Sequence, residues 1–506
     1  MSPAPRSLHA LAGLAAGLAG LAVSHALAML LTLRAGPVVA VAGGIIEITP
    51  GGLAETLIGL VGEYDKPLLV AGVVLGGLAL SAWAGAIAQR GRVLGAAVFV
   101  VMGLVGAVAV LTRADARAFD LVPVAAGTAT WLLVHPLLAR QLTEAAQAPA
   151  ETADAQRRRF LVTAGFVGLA AVAVGVAGQA VGASRRGVET ARRLLRLPVR
   201  RGKVPDGAEL GVPGVAPWRT PAAEFYRIDT ALVVPGIDPV EWRLRVHGMV
   251  ERELDLTFQD LVHWGLTEDW ITLCCVSNEV GGDLVGNAWW SGVRVADVLA
   301  AAGVLSGADA VLQTSEDGWT CGTPLEALTD DRNALLALAM NGEPLPVEHG
   351  FPVRMVVPGL YGYVSATKWL VDLEVTRFAD ITAYWTSRGW AERAPVKTQS
   401  RIDVPAPGAE VAAGTLRVGG SAWAQHTGIA LVEYRLDGGP WTRAELGRVP
   451  NLDTWAQWSA TVEVAPGEHT LAVRATDRSG YTQTGVQSDV LPDGATGWHS
   501  VEFTAG

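Results

Sequence analysis

Hydrophobic and polar positions divide this chain into two unlike parts. Long Ala/Leu/Val/Gly runs fill it before about residue 183, and alternating patterns begin near Tyr226. Five of the apolar runs each come near the ~20 residues that a bilayer-crossing helix needs. They are Leu8 to Leu33, Pro67 to Ala88, Val93 to Leu111, Leu121 to Leu138 and Phe160 to Val181. Val38 to Leu60 is also apolar, but Glu47, Pro50, Gly51, Gly52 and Glu55 interrupt it. It is expected to be an external or re-entrant loop, with a sixth span as the alternative. Residues 1–182 therefore read as a multi-pass α-helical membrane domain.

Loop charge sets the expected orientation. Arg90 and Arg92 lie between the second and third spans, and Arg140, Arg157, Arg158 and Arg159 between the fourth and fifth. Short loops of this kind stay cytoplasmic. With Arg6 at a cytoplasmic N-terminus, five crossings leave everything after Val181 outside the cytoplasm, although Arg113 and Arg117 run against the asymmetry. The expected location is the cell membrane, with the soluble part extracytoplasmic. Arg157-Arg158-Arg159-Phe160-Leu161 also resembles a twin-arginine export signal, the alternative being a simple topology determinant. Residues 183–221, rich in Arg, Gly and Pro, read as a tether.

Beyond the tether, the alternation Trp242-Arg243-Leu244-Arg245-Val246 mixes with helical stretches such as Val295 to Ala302 and Pro324 to Leu328. Residues 222–397 are read as an α+β domain. After Thr398 the helical signal vanishes. Short strand runs (Leu416 to Val418, Ile429 to Tyr434, Thr461 to Val464, Thr470 to Ala475) are separated by Asp437-Gly438-Gly439, Pro466-Gly467 and Ser479-Gly480. That rhythm predicts a β-sandwich over 398–506.

Composition agrees with lipid contact. Half of the 506 residues are hydrophobic, 17% are charged, and mean hydropathy is +0.32, too apolar for an ordinary soluble chain. A net charge of -10 excludes nucleic acid as a partner. Three cysteines, Cys274, Cys275 and Cys321, are too few for a disulfide framework and lack zinc-site spacing. Their interest is reactivity or metal binding, against the plain alternative of buried structural thiols.

The chemistry concentrates at Thr272-Leu273-Cys274-Cys275-Val276-Ser277-Asn278-Glu279, followed by Gly281-Gly282. A thiol at the end of a predicted strand, ahead of a glycine-rich loop, suits close approach of a soft metal. Around it, in order, stand Phe225-Tyr226-Arg227, Trp242 to Gly248, Met340-Asn341-Gly342-Glu343-Pro344-Leu345-Pro346, His349-Gly350-Phe351-Pro352-Val353-Arg354 and Thr367-Lys368-Trp369-Leu370. From about Tyr226 to the C-terminus this series resembles the sulfite oxidase family of molybdopterin oxidoreductases, and Val473 to Gly480 with Gly497-Trp498-His499 resembles its Ig-like, dimerisation-type domain.

The resemblance implies molybdenum held by a pterin dithiolene and one protein thiolate. Cys275 matches the ligand position, three residues before Asn278. Arg227, His349, Arg354 and Lys368 match positions that hold the pterin and its phosphate, and Tyr226, Asn278 and Asp317 are weaker candidates for polar contacts. Departures matter too. Arg227-Ile228-Asp229 stands where sulfite-oxidising members have Arg-Asn-His, Glu279-Val280 replaces paired arginines, and the active-site tyrosine position falls on Trp319. A sulfite dianion needs convergent positive charge. The expected reaction is therefore oxygen-atom transfer on a small, less charged substrate such as an S-oxide or N-oxide, with Tyr361, Tyr363, Trp289, Trp290 and Trp319 as pocket candidates or ordinary core. A non-catalytic membrane-tethered binding or sensor protein is the alternative. The expected partners are the membrane, a small-molecule substrate, an electron-transfer partner the sequence does not name, and a second copy of the chain. His25 and His135 are read as packing residues, so haem is not expected.

Overall fold

The computed structural model describes residues 6–31, 33, 36–49, 60–61, 64–113, 116, 118–181 and 184–506. Two compact units emerge, Met1–Gly187 with Ala231–Val234, and Val188–Thr230 with Pro235–Gly506.

The first unit is helical. Its helices are Arg6–Leu30, Pro37–Ile48, Asp65–Ile87, Arg92–Leu111, Val122–Gln147 and Ala150–Val181. Among the described residues, five helical segments are long and apolar enough to cross a membrane, and they coincide with the five expected runs. The expected loop Val38 to Leu60 is corrected in its first half. Pro37–Ile48 is a helix with proline in its first turn, where a preset φ and a missing N–H cost nothing; residues 50–59 and Arg117 lie outside the described residues. The fourth run continues past Leu138 to Gln147 because good helix formers follow, and Arg140 pairs with Glu144 one turn on at 2.8 Å. Arg157 to Arg159 sit within the continuous helix Ala150–Val181.

Small residues let these helices meet. A methyl group on Gly13 or Gly85 would collide with the other residue's backbone, so the two helices touch main chain to main chain there. Trp131 Nε1 donates to the Gly17 carbonyl at 3.1 Å. Leu104, Val108, Leu133, Leu137, Phe166 and Leu169 point outward and are exposed.

In the second unit two sheets carry the α+β region. One runs Leu254–Thr257, Arg243–Gly248, Leu370–Thr376, Ala310–Ser315, Thr320–Pro324, and its only parallel pair joins Arg243–Gly248 to Leu370–Thr376. The other runs Thr267–Cys274, Val285–Arg294, Leu335–Met340, Glu343–Pro344, with Arg354–Val356 added against Leu335–Met340. Residues of both sheets meet in one core that includes Trp242, Leu244, Val293, Leu336, Leu370 and Leu373.

Two further sheets follow. One is formed by Gln399–Val404, Gly414–Trp423, Ala456–Val464 and Glu445–Leu446; the other by Glu410–Val411, His499–Ala505, Gly467–Asp477, Ile429–Leu436 and Thr442–Arg443. They face each other across Val418, Trp458, Val462, Val432, Leu471, Val473 and Phe503, alternate positions turned inward as the pleat requires.

The expected tether is largely not a free linker. Ser184–Leu194 is a helix, and residues 188–221 pack onto the second unit, where Trp218 and Ala208 are fully buried. An Arg/Gly/Pro-rich composition hid a segment anchored by a few apolar residues.

Candidate active site

Strand Thr267–Cys274 delivers two thiols to different places, because successive residues of an extended chain face opposite ways. Cys274 is buried in the core, its Sγ 3.4 Å from the Cys275 carbonyl. Cys275 faces a cleft. The chain then closes a short loop on itself. Cys275 N–H donates to the Leu284 carbonyl (2.9 Å), Asn278 N–H to the Cys275 carbonyl (3.2 Å), and Leu284 N–H to Asn278 Oδ1 (2.8 Å). Gly281, at φ 80°, lies against the His499 ring, and Arg401 Nη1 donates to the Gly282 carbonyl at 2.9 Å.

The cleft is open at its mouth and encloses about 940 Å³ of space when that mouth is counted. Of the expected site residues it brings together Tyr226, Cys275, Asp317, His349, Arg354 and Lys368. Asn278 shapes the cysteine loop from behind. Arg227 is exposed outside the lining, its Nε 4.0 Å from Asp229.

Electrostatics within the cleft are uneven. Arg354 is buried, and its N–H groups reach only the carbonyls of His349 (3.3 Å), Met355 (3.4 Å) and Ala366 (3.5 Å); its guanidinium also lies over Trp290, 5.2 Å from the ring centre. Burial lowers its pKa to about 10. His349 Nε2 donates to the Ala222 carbonyl at 3.0 Å, which leaves Nδ1 as an acceptor on the neutral ring. Burial, with Arg354 and Lys368 nearby, holds His349 at about 4. Burial pushes the Cys275 thiol up, partly offset by contacts to Ser277, and raises Tyr226 and Asp317 as well. Gly350, at φ 107°, lies too close to Arg354 and Lys368 for a side chain of its own, which brings both cations to one wall.

Several lining residues were not anticipated. Asp229 accepts from Lys368 Nζ at 2.7 Å, and Lys368 also donates to the Glu348 carbonyl at 3.1 Å. Trp385 and Trp390 join Tyr363 in one aromatic wall, with Tyr363 and Trp390 5.5 Å and Trp385 and Trp390 6.1 Å apart between ring centres. The density of aromatics over Tyr384 to Trp390 was the available signal. Of the aromatics expected at the pocket, Trp319 and Tyr363 line it. Tyr361, Trp289 and Trp290 do not; Trp290 is fully buried and donates Nε1 to the Ile271 carbonyl at 3.1 Å, and Tyr361 is packed against Gly494.

A thiol, a buried guanidinium without a carboxylate partner, a neutral imidazole and a phenol make a donor set that fits an anionic, metal-bearing cofactor. Comparison with known proteins agrees. Residues 231–385 match the family model described as the oxidoreductase molybdopterin binding domain. The uncharacterized oxidoreductase YuiH of Bacillus subtilis (strain 168) is 37% identical over 179 residues, 35% of this chain and 87% of that protein. Human mitochondrial sulfite oxidase is 30% identical over 311 residues, 51% of this chain and 56% of its own length. Among solved structures, the sulfane dehydrogenase SoxCD from Paracoccus pantotrophus overlaps 54% of this chain and 75% of its own at 25% identity and a TM-score of 0.48. An oxidoreductase family leaves the non-catalytic alternative without support. With the cysteine loop, the cation wall and these relatives in agreement, the chain belongs to the sulfite oxidase family of molybdopterin-dependent oxidoreductases.

Proposed function

We propose that this enzyme is anchored in a membrane by its helical unit and carries out oxygen-atom transfer on a small substrate of lower charge than sulfite, an S-oxide or an N-oxide. One observation carries the reading: Cys275 and the buried Arg354 line the same cleft, and among the described residues no second arginine lines it. The outward apolar side chains of the helical unit support the anchor, since lipid is where such faces cost nothing.

When bound, the molybdenum cofactor supplies two-electron redox chemistry coupled to oxygen transfer. Cys275 offers the soft sulfur donor. Arg354 and Lys368 would neutralise the anionic cofactor, His349 Nδ1 would offer it a hydrogen-bond acceptor, and Tyr226 and Asp317 would offer further polar contacts. Asn278 holds the Cys275 loop in register, and Arg227 serves from the rim. Trp319, Tyr363, Trp385 and Trp390 exclude water and hold the apolar part of the substrate. Electrons come from or pass to a separate carrier. The C-terminal sandwich is read as Ig-like and as the face through which two copies pair, and the catalytic unit as extracytoplasmic.

The test is metal analysis of the purified full chain combined with a screen of S-oxides, N-oxides and sulfite. About one molybdenum per chain and turnover of an oxide are expected. Absence of molybdenum, or sulfite as the preferred substrate, overturns the reading.

A further inference from the structure

Tyr363, Trp385 and Trp390 meet on the cleft wall as a corner of rings, and the angles between them restrict what can rest there. Tyr363 and Trp390 are tilted by 55° and Trp385 and Trp390 by 74°, with ring centres 5.5 and 6.1 Å apart. Rings at such separations already touch, so no flat ligand slides between them. Local bonds hold the corner in place. One turn, Thr386–Arg388, separates the two indoles and closes at Gly389, whose φ of 90° suits glycine, and Trp390 N–H donates to the Trp385 carbonyl at 3.3 Å. Tyr384 N–H donates to the Thr320 carbonyl at 3.3 Å, beside Trp319, and Ala391 N–H to the Pro492 carbonyl at 3.0 Å. The Tyr363 hydroxyl donates to the Ala391 carbonyl at 2.7 Å, so this residue offers the cleft its ring rather than its oxygen.

Resting on the oxide reading, we infer that this corner selects a compact methylated oxide, of the trimethylamine N-oxide or dimethyl sulfoxide kind, and sets the direction in which it binds. The nitrogen or sulfur of such a molecule is the positive end of a polar bond and is wrapped in methyl groups. Ring faces carry negative charge density and attract that end, as they do in aromatic sites for methylated ammonium groups. They repel the oxygen, which is left to face the rest of the cleft, where Cys275 lies. Being uncharged overall, the molecule needs neither Arg354 nor Lys368, both engaged by the cofactor in the reading above. A planar heteroaromatic N-oxide can stack on one facet only, and its nitrogen carries no methyl groups to meet the others.

The experiment uses the molybdenum-loaded full chain in its oxidised form without an electron donor, so that ligand-observed NMR titration reads binding and not turnover, with metal content determined in every sample. Trimethylamine N-oxide and dimethyl sulfoxide should bind about tenfold more tightly than pyridine N-oxide. Trp390→Leu keeps an apolar side chain but removes a ring face, so this preference should fall to about twofold or less. Trp390→Phe and Tyr363→Phe keep the face and should retain it. Should Trp390→Leu fail to fold or to load molybdenum, Trp385→Leu decides by the same ratio. Equal or tighter binding of pyridine N-oxide to the wild type, or a preference that the leucine variant leaves unmoved, overturns the inference. Wild-type protein without molybdenum, or with sulfite as its preferred substrate, overturns the proposed function instead, so the two failures are distinct.

Discussion

Trp218 and Trp455 exchange hydrogen bonds: Trp218 Nε1 donates to the Trp455 carbonyl at 3.0 Å and Trp455 Nε1 to the Trp218 carbonyl at 2.8 Å. Both rings are essentially fully buried. Each indole thereby satisfies its donor while filling core volume, and the segment before the catalytic region is pinned to the sandwich strand Ala456–Val464 by the residue that precedes it.

That pairing gives a stability prediction. Trp218→Ala should cost about 3–5 kcal/mol, as large aromatic truncations in a core do. Trp455→Ala should cost a similar amount, and since each indole bonds a main-chain carbonyl that alanine retains, each single variant should leave the other indole's hydrogen bond in place. Denaturant unfolding followed by tryptophan fluorescence measures both; a loss below about 1 kcal/mol for Trp218→Ala would show that the segment is merely laid on the surface.

Cys275→Ser should abolish turnover while leaving the fold intact, and Cys274→Ser should be mild. Serine is nearly isosteric but a harder, weaker donor, so it disturbs a metal more than it disturbs packing. Molybdenum content and the visible absorption of both variants report the outcome. A changed spectrum in Cys274→Ser with none in Cys275→Ser would reverse the assignment.

Acid should destabilise the catalytic unit through His349. Its folded pKa of about 4 lies below the ordinary 6.5, chiefly through burial and then through Arg354 and Lys368. Between those values the unfolded chain binds more protons, so stability falls as pH drops through this window. The full gap is worth about 3 kcal/mol, at roughly 1.4 kcal/mol for each tenfold in proton affinity. His349→Gln should flatten this part of the profile, read as urea midpoints at pH values above and below the window; parallel losses in both proteins would remove His349 as the cause.

Protease supplied to the extracytoplasmic side of intact membranes should cleave away the catalytic unit. Protection of that unit would invert the orientation argued from the loop arginines.

Replacing Arg157 and Arg158 with lysine should strand the folded catalytic unit in the cytoplasm if the run is an export signal. Localisation by fractionation decides, and unchanged translocation leaves the arginines as topology determinants alone.

Local pattern carried a good deal of this molecule. Five apolar runs became five long helices, since each needs only its own residues and a backbone that bonds within itself. The step from Cys275 to Asn278 was equally local: the loop closes through bonds among Cys275, Asn278 and Leu284, and Cys275 rather than Cys274 faces the cleft. Two segments misled by composition. Pro37–Ile48 is helical despite acidic and glycine neighbours, and residues 188–221 are anchored despite a linker's residue types.

Tertiary structure alone decided which distant residues share a wall. Asp229 and Lys368 are 139 positions apart, and Trp218 and Trp455 are 237. Their meeting depends on strand partners such as Arg243–Gly248 and Leu370–Thr376, whose pairing no local periodicity encodes. The same holds for the aromatics: sequence marked Trp290 and Trp319 alike, but burial between sheets sent one into the core while a hairpin turn put the other at the cleft. Which side of a folded wall a residue faces is a property of the packed layers, and that is why the charge of this cleft became readable only in three dimensions.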